Sequence, residues 1–255
     1  MKDLKIYTHF YKDYNFKYNN LYFPVTNEPD AVTFPKCESI PKYIKKSNII
    51  LGEYDTYIYL AARKNSDYVG VNHYRRYPDF LKYGLDYNGA KILMDEKEET
   101  LKYLCSDRQK EMALSILEKY DVIHYNPVNL GISIVEQWNK YHIPEIFEIL
   151  LDEILKTNFR NYISYFYDPS KSHIFASPFI TKWENLKDFI IFYKYLINNL
   201  FKRNDFINFL ETNGKSERFN NKRVLAFFGE RLIPFWCYSA NLKEAFVPMV
   251  TTEIC

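Results

Sequence analysis

Asp67-Tyr-Val-Gly-Val-Asn-His-Tyr-Arg-Arg-Tyr77, in one-letter code DYVGVNHYRRY, is the stretch from which the fold can be read. Its first part, Tyr68 to Asn72, is a short apolar run bounded by turn signals, the pattern of a strand buried on both faces. Such a strand delivers Asn72, His73, Tyr74, Arg75 and Arg76 at its C-terminal end. In open α/β sheets that edge is where ligands bind. Two adjacent guanidiniums beside an imidazole and a phenol are costly to bury without an anionic partner, and Arg suits bidentate phosphate contacts. The alternative is that they pair with some of the 32 Asp and Glu residues.

Working outward, Glu53 to Lys64 (EYDTYIYLAARK) predicts a helix with carboxylates in its first turn, stopped by Asn65-Ser66-Asp67. Leu4 to His9 reads as a first strand. Leu21 to Thr26 reads as an edge strand, because Pro24 cannot donate to a ladder. Residues 27–52, broken by Pro29, Pro35 and Pro41, read as loop. Downstream, Arg108 to Tyr120 predicts a helix capped by Ser106 or Asp107, with Met112, Ile116 and Leu117 on one face, and Asp121 to Tyr125 a further strand. Strands alternating with helices predict an α/β sheet that is at least partly parallel, with right-handed crossovers. The second half is richer in helix. Phe189, Tyr193, Leu196 and Leu200 line one side of a helix over 183–203, with Lys187, Lys194, Lys202 and Arg203 opposite. Packing on the core is the first reading of that helix, and contact with a membrane surface the second. Another helix is expected over 222–236. The chain is read as one domain over 1–255, with a first half over 1–130 and a helix-rich second half over 131–255.

Composition narrows the function. Apolar residues make up 47% of the 255, enough for a sizeable core, and a net charge of +2 argues against a nucleic-acid binder. Cys37, Cys105, Cys237 and Cys255 are scattered, with no Cys-x-x-Cys pair and no His at ligand spacing. That speaks against a zinc site or disulfide framework and for a reducing compartment. Without a signal-peptide run or a stretch of about 18 apolar residues, a cytoplasmic protein is expected. No Gly-rich phosphate loop or Gly-x-Ser-x-Gly elbow is present.

The stretch DYVGVNHYRRY resembles the signature of a bacterial family from capsule and O-antigen gene clusters, whose members usually read DYIGL-x-HYRRYF. The resemblance extends along the chain in order: Ile6-Tyr7-Thr8-His9, Phe23-Pro24-Val25, a helix ending in Lys64-Asn65, Asp121-Val-Ile, Glu136-Gln137, His142, Ile174 to Lys182, and Gly229-Glu230-Arg231-Leu232. Departures are Pro78 after HYRRY, Ser177 for an Asn, a displaced Asn with Asn48 nearest, and Tyr54-Asp55-Thr56 in place of Cys-Glu-Leu-Thr. The family consists of glycosyltransferase-like domains, including the galactofuranose-transferring half of a two-domain O-antigen polymerase. The resemblance therefore implies a GT-A-like, mostly parallel sheet flanked by helices. It also implies transfer of a sugar from a nucleotide-diphosphate donor, expected to be UDP-linked, to a glycan or lipid-linked glycan.

Most enzymes of that type hold a metal with Asp-x-Asp, which does not occur in this sequence. Arg75 and Arg76, with His73, are expected to stabilise the leaving diphosphate directly and without a metal. Glu53-Tyr54-Asp55 is a rival carboxylate pair for a metal, although Asp55 reads better as a donor contact. Thr8 and His9 are placed to meet the nucleobase or ribose, and Arg231 a phosphate. Asp55, Glu136, His142 and Glu230 are candidates for the base that deprotonates the acceptor. Other readings are a catalytically idle sugar-nucleotide or glycan-binding module and a phosphoesterase or nuclease, the latter opposed by only five scattered His residues.

Overall fold

The computed structural model describes residues 2–10, 20–26, 53–82, 90–93, 102–171, 173–174, 179–213 and 224–252. Strand β1 (Leu4–Phe10) pairs in parallel with β2 (Tyr22–Thr26) on one side and with β3 (Tyr68–His73) on the other. Strand β9 (Phe179–Lys182) runs antiparallel between β3 and β6 (Val122–Tyr125). Strand β10 (Glu244–Val247) pairs in parallel with β6, so the sheet order is β10-β6-β9-β3-β1-β2. This is the mostly parallel sheet expected from the alternating strands and helices. As expected, β2 lies at the edge, where the missing N–H of Pro24 breaks no ladder.

The antiparallel β9 comes from the region read as one strand over 174–182. Its first residues instead form β8 (His173–Ile174), paired with β7 (Val128–Asn129) outside the main sheet. Strand β9 approaches β3 closely at Gly70, where a Cβ would stand 2.6 Å from Cγ1 of Ile180. Only a residue without a side chain admits that register. Because β9 and β10 complete the sheet begun by β1 to β3, the halves 1–130 and 131–255 interleave. A smaller sheet, β4-β11-β5, joins β4 (Arg76–Pro78), β11 (Met249–Thr252) and β5 (Ala90–Leu93).

Helix α1 (Tyr54–Ala61) is shorter than the segment 53–64 read for it. Helix α2 (Asp107–Leu117) starts after Ser106 as expected, but its inward face is Gln109, Ala113 and Leu117. Met112 is exposed. The i, i+4, i+8 line runs through a polar residue, Gln109. That residue is buried because its Oε1 accepts from the Phe80 N–H (2.8 Å) and its Nε2 donates to Asp79 (3.0 Å). A reading by hydrophobicity alone rotates the helix away from it.

Further helices are α3 (Ile134–Tyr141), α4 (Pro144–Leu155), α5 (Trp183–Leu200), α6 (Asn204–Asn213) and α7 (Val224–Ser239), with 3-10 helices at Asn158–Tyr167 and Pro169–Lys171. Pro144 opens α4, where its missing N–H costs nothing. Helices α1, α3, α4, α5 and α7 pack into one large core, while β4, α2 and β11 enclose a smaller one with the other residues of the sheet. Eight α5 side chains, Phe189 and Leu196 among them, are buried. At roughly 1.5–3 kcal/mol each, exposing that face would cost as much as, or more than, the roughly 5–15 kcal/mol that holds a domain together. The face therefore belongs to the core, not to a membrane. No helix among the described residues is long and apolar enough to cross one.

Candidate active site

Parallel pairing of β1 and β3 sets Thr8 opposite Asn72 and His9 opposite His73, so both strands end at one edge. Thr8 Oγ1 donates to Asn72 Oδ1 (2.9 Å), and Asn72 Nδ2 donates to the carbonyl of Arg76 (2.7 Å). That second bond folds the chain back after His73 and so shapes the segment carrying the two arginines. The Tyr74 N–H continues the ladder to the carbonyl of His9 (3.2 Å). The His9 ring bonds Thr56 of α1 through Nδ1 (2.8 Å). Thr8, His9 and Asn72 are fully buried. Thr8 and His9, expected to meet the nucleobase or ribose, each make a bond within the fold at this edge.

His73 is buried, and that burial, reinforced by Arg76, Arg75 and His9 and opposed by Glu53, lowers its pKa to about 3. It is neutral at pH 7, so it does not add a third positive charge. The Arg75 N–H points at its Nδ1 (3.3 Å), which leaves the ring proton on Nε2 as a donor. Arg75 is exposed and lies over the Tyr74 ring, 5.3 Å from its centroid, and Arg76 is half-buried. Neither forms an ion pair among the described residues. The pairing with surface carboxylates that the sequence left open is not made here.

Glu53 and Asp55 are buried at the start of α1, with Asp55 in its first turn. Side chains two apart at a helix start do not face each other, which is unfavourable for a shared metal. They also belong to no group of three candidate ligands among the described residues. Between them, Tyr54 packs against Gly229 of α7, where a Cβ would lie 2.2 Å from the ring. This contact brings Glu230 to the same end of α1. Burial first, and then the charges of Tyr57, Glu230 and Glu53, hold the Tyr54 phenol well above its ordinary pKa.

The elements around Glu136, His142, Glu230 and Arg231 form a second cluster beside this one. Glu136 is the last residue of a capping box: its Oε2 accepts from the Ser133 N–H (2.8 Å), and its own N–H donates to Ser133 Oγ (3.1 Å). That engages its carboxylate in starting α3, which counts against it as the base. Arg231, expected at a phosphate, is 2% exposed. Its guanidinium donates to the Phe227 carbonyl (2.8 Å) and Gln137 Oε1 (2.7 Å), and lies over Trp138. Glu230 is only a loose partner, 3.7 Å away, and its side chain remains 28% exposed. Burial and the nearby Arg231 lower the pKa of His142 to about 4, and its ring rests against Trp138. A base that weak is far from the pKa near the operating pH that efficient proton transfer favours.

Sequence reasoning passed over Thr56, Gln137, Trp138 and Gly229 as functional residues. Gln137 and Thr56 stood inside the quoted motifs, but nothing in a linear pattern showed that they hold Arg231 and His9. Asn48 and Ser177 lie outside the described residues.

Comparison with known proteins agrees with this architecture. The family model described as "Domain of unknown function (DUF4422)" matches residues 5–241. That is most of the chain, and the chain belongs to this family. No curated protein matches significantly. The fold is similar to that of a solved structure titled "WbbM bifunctional glycosytransferase apo structure", with TM-score 0.79 and 17% sequence identity. The match covers 98% of this chain and 45% of that one, so this chain spans less than half of that protein's length.

Proposed function

We propose that this DUF4422 chain is a glycosyltransferase that moves a sugar from a nucleotide-diphosphate donor onto a growing capsular or O-antigen glycan. The observation that carries the proposal is the pair of guanidiniums, Arg75 and Arg76, standing without ion-pair partners among the described residues where parallel strands end. As the bond from the anomeric carbon to the diphosphate breaks, negative charge moves onto the phosphate oxygens. Cations already in place stabilise that charge without reorganisation. His73 adds a neutral N–H from Nε2, and Tyr74 offers a ring at the same edge. The fold shared with a bifunctional glycosyltransferase and the family membership support this reading.

The acceptor hydroxyl, as it attacks, must lose a proton. Glu230 is the base best supported. Among the carboxylates weighed, it alone is partly exposed and not engaged in a helix cap, while Asp55 is fully buried and acts as a positioning residue. Arg231 positions Glu230 and Gln137 rather than touching phosphate. On this reading the donor is UDP-linked, the acceptor a glycan or lipid-linked glycan, and the enzyme works in the cytoplasm or at the inner face of the membrane.

The test is thermal shift against a panel of nucleotide sugars in chelator, with wild type and Arg75→Ala/Arg76→Ala. One nucleotide class should stabilise the wild type and leave the double variant unmoved. Stabilisation that survives in the double variant, or that manganese but not zinc restores after chelation, would sink the arginine mechanism.

A further inference from the structure

At the opposite side of the sheet from β1 and β2, three side chains of different chemistry converge. His124 stands on β6, Cys237 near the end of α7 and Glu244 at the start of β10. Cys237 Sγ is 3.6 Å from His124 Nε2, and Glu244 Oε2 is 3.3 Å from the same nitrogen. All three ligand atoms lie within 4.8 Å of one another. His124 and Cys237 are fully buried, and Oε2 of Glu244 is buried without a hydrogen-bond partner despite its closeness to the ring.

We infer that His124, Cys237 and Glu244 form a zinc-type metal site. Around a tetrahedral zinc, bond lengths of about 2.0–2.3 Å put nitrogen and oxygen about 3.4 Å apart and sulfur and nitrogen about 3.6 Å apart. The observed separations are those of a site already shaped for the ion. One imidazole nitrogen facing both a sulfur and a carboxylate oxygen can donate at most one proton, so hydrogen bonding alone serves the cluster poorly. A cation at the centre meets all three at once. A thiolate, an imidazole and one carboxylate suit zinc and neighbouring transition metals, not calcium or magnesium, which prefer oxygen throughout.

The supporting structure fixes each ligand. The His124 ring is held between Phe179 and Phe246, at centroid distances of 5.8 and 6.2 Å. Helix α7 ends in a left-handed turn at Asn241 (φ 52°), with Leu242 N–H bonded to the Cys237 carbonyl (3.0 Å) and Asn241 N–H to that of Tyr238 (3.1 Å). This reversal returns the chain so that Glu244 comes to lie beside Cys237. Glu244, its side chain 25% exposed, also lines a cavity of about 250 Å³ with Tyr165, Lys171 and Tyr238, which would give an ion its way in. The bound ion would tie α7 and the edge strand β10 to the neighbouring strand β6, apart from the diphosphate site.

The test is titration of the metal-stripped full-length protein with cobalt(II) as a spectroscopic stand-in, followed by displacement with zinc. The wild type should bind one equivalent with a thiolate-to-cobalt charge-transfer band and tetrahedral ligand-field absorption, both erased by zinc. Glu244→Gln, which changes a partly exposed residue and should fold normally, is expected to weaken binding by at least the roughly 10–100-fold that disturbing even an outer-shell partner costs. Cys237→Ser should lose the charge-transfer band. Absence of cobalt and zinc binding to the wild type overturns the inference, as does a charge-transfer band that persists unchanged in both variants.

Discussion

Arg75 and Arg76 at the end of β3, and Arg231 inside α7, carry the same functional group in opposite surroundings. The first two stand at the open end of parallel strands without ion-pair partners among the described residues. Arg231 is enclosed, hydrogen-bonded to Phe227 and Gln137 and stacked on Trp138. In sequence both sites read as phosphate contacts. What separates them is whether the fold already satisfies the guanidinium. An arginine whose donors are occupied holds structure, and one whose donors are unoccupied is ready for an anion.

The largest expected effect comes from removing the available pair. Arg75→Ala/Arg76→Ala should lower turnover by about 10²-fold or more while moving the unfolding free energy by no more than about 0.5 kcal/mol. Kinetics and urea melts on the same preparation would expose an equal loss of stability, which would collapse the distinction from Arg231. For the enclosed arginine the pattern inverts. Arg231→Met leaves the half-buried Gln137 Oε1 without its donor, and should cost about 1–3 kcal/mol of stability with donor binding retained. A donor Kd raised in step with the Arg75/Arg76 variant would show that Arg231 meets phosphate after all.

Gly229→Ala tests the contact that joins the two clusters. Its Cβ would meet the packed Tyr54 ring, so a loss of about 1–3 kcal/mol is expected, with turnover falling as the start of α1 shifts. Unchanged stability would mean that α1 and α7 are loosely coupled.

Acid sharpens the comparison more gently. His142 and His73 have folded pKa values of about 4 and about 3, below the ordinary value of 6.5. Between those values and about 6.5 the unfolded chain binds more protons than the folded one. Stability is therefore full above about pH 6.5 and is lost as pH falls through that window. His142→Gln should flatten the slope, as read by denaturation midpoints from pH 7 to 4; an unchanged slope would place the titration elsewhere. Smallest of all, Glu136→Ala removes a helix cap. It should lower the melting temperature by about 2 °C or less with kcat intact, and a large kcat loss would return Glu136 to the candidate bases.

Much of the architecture was legible because periodicity and turn chemistry are local. The buried run Tyr68 to Asn72, the proline-marked edge strand and the apolar face of α5 all follow from residues near one another in the chain. Helix α2 shows where this stops. Its inward face includes Gln109, buried only because the amide finds Asp79 and the Phe80 N–H. The reading of scattered cysteines as opposing a zinc site failed to anticipate the cluster for the same reason: Cys-x-x-Cys spacing detects ligands on one turn, whereas His124 and Cys237 are more than a hundred residues apart.

The sequence by itself determined the strand and helix alternation, the delivery of His73, Tyr74, Arg75 and Arg76 to a sheet edge, and the kinship carried by HYRRY. These rest on short-range sterics, hydrophobic period and motif order. The tertiary structure alone decided that β9 inserts antiparallel between β3 and β6, that His73 is neutral, and that Arg231 and Glu136 are engaged within the fold. It alone brought His124, Cys237 and Glu244 to one point. Burial, pairing and pKa are set by groups that only folding makes neighbours, and no linear pattern holds that information.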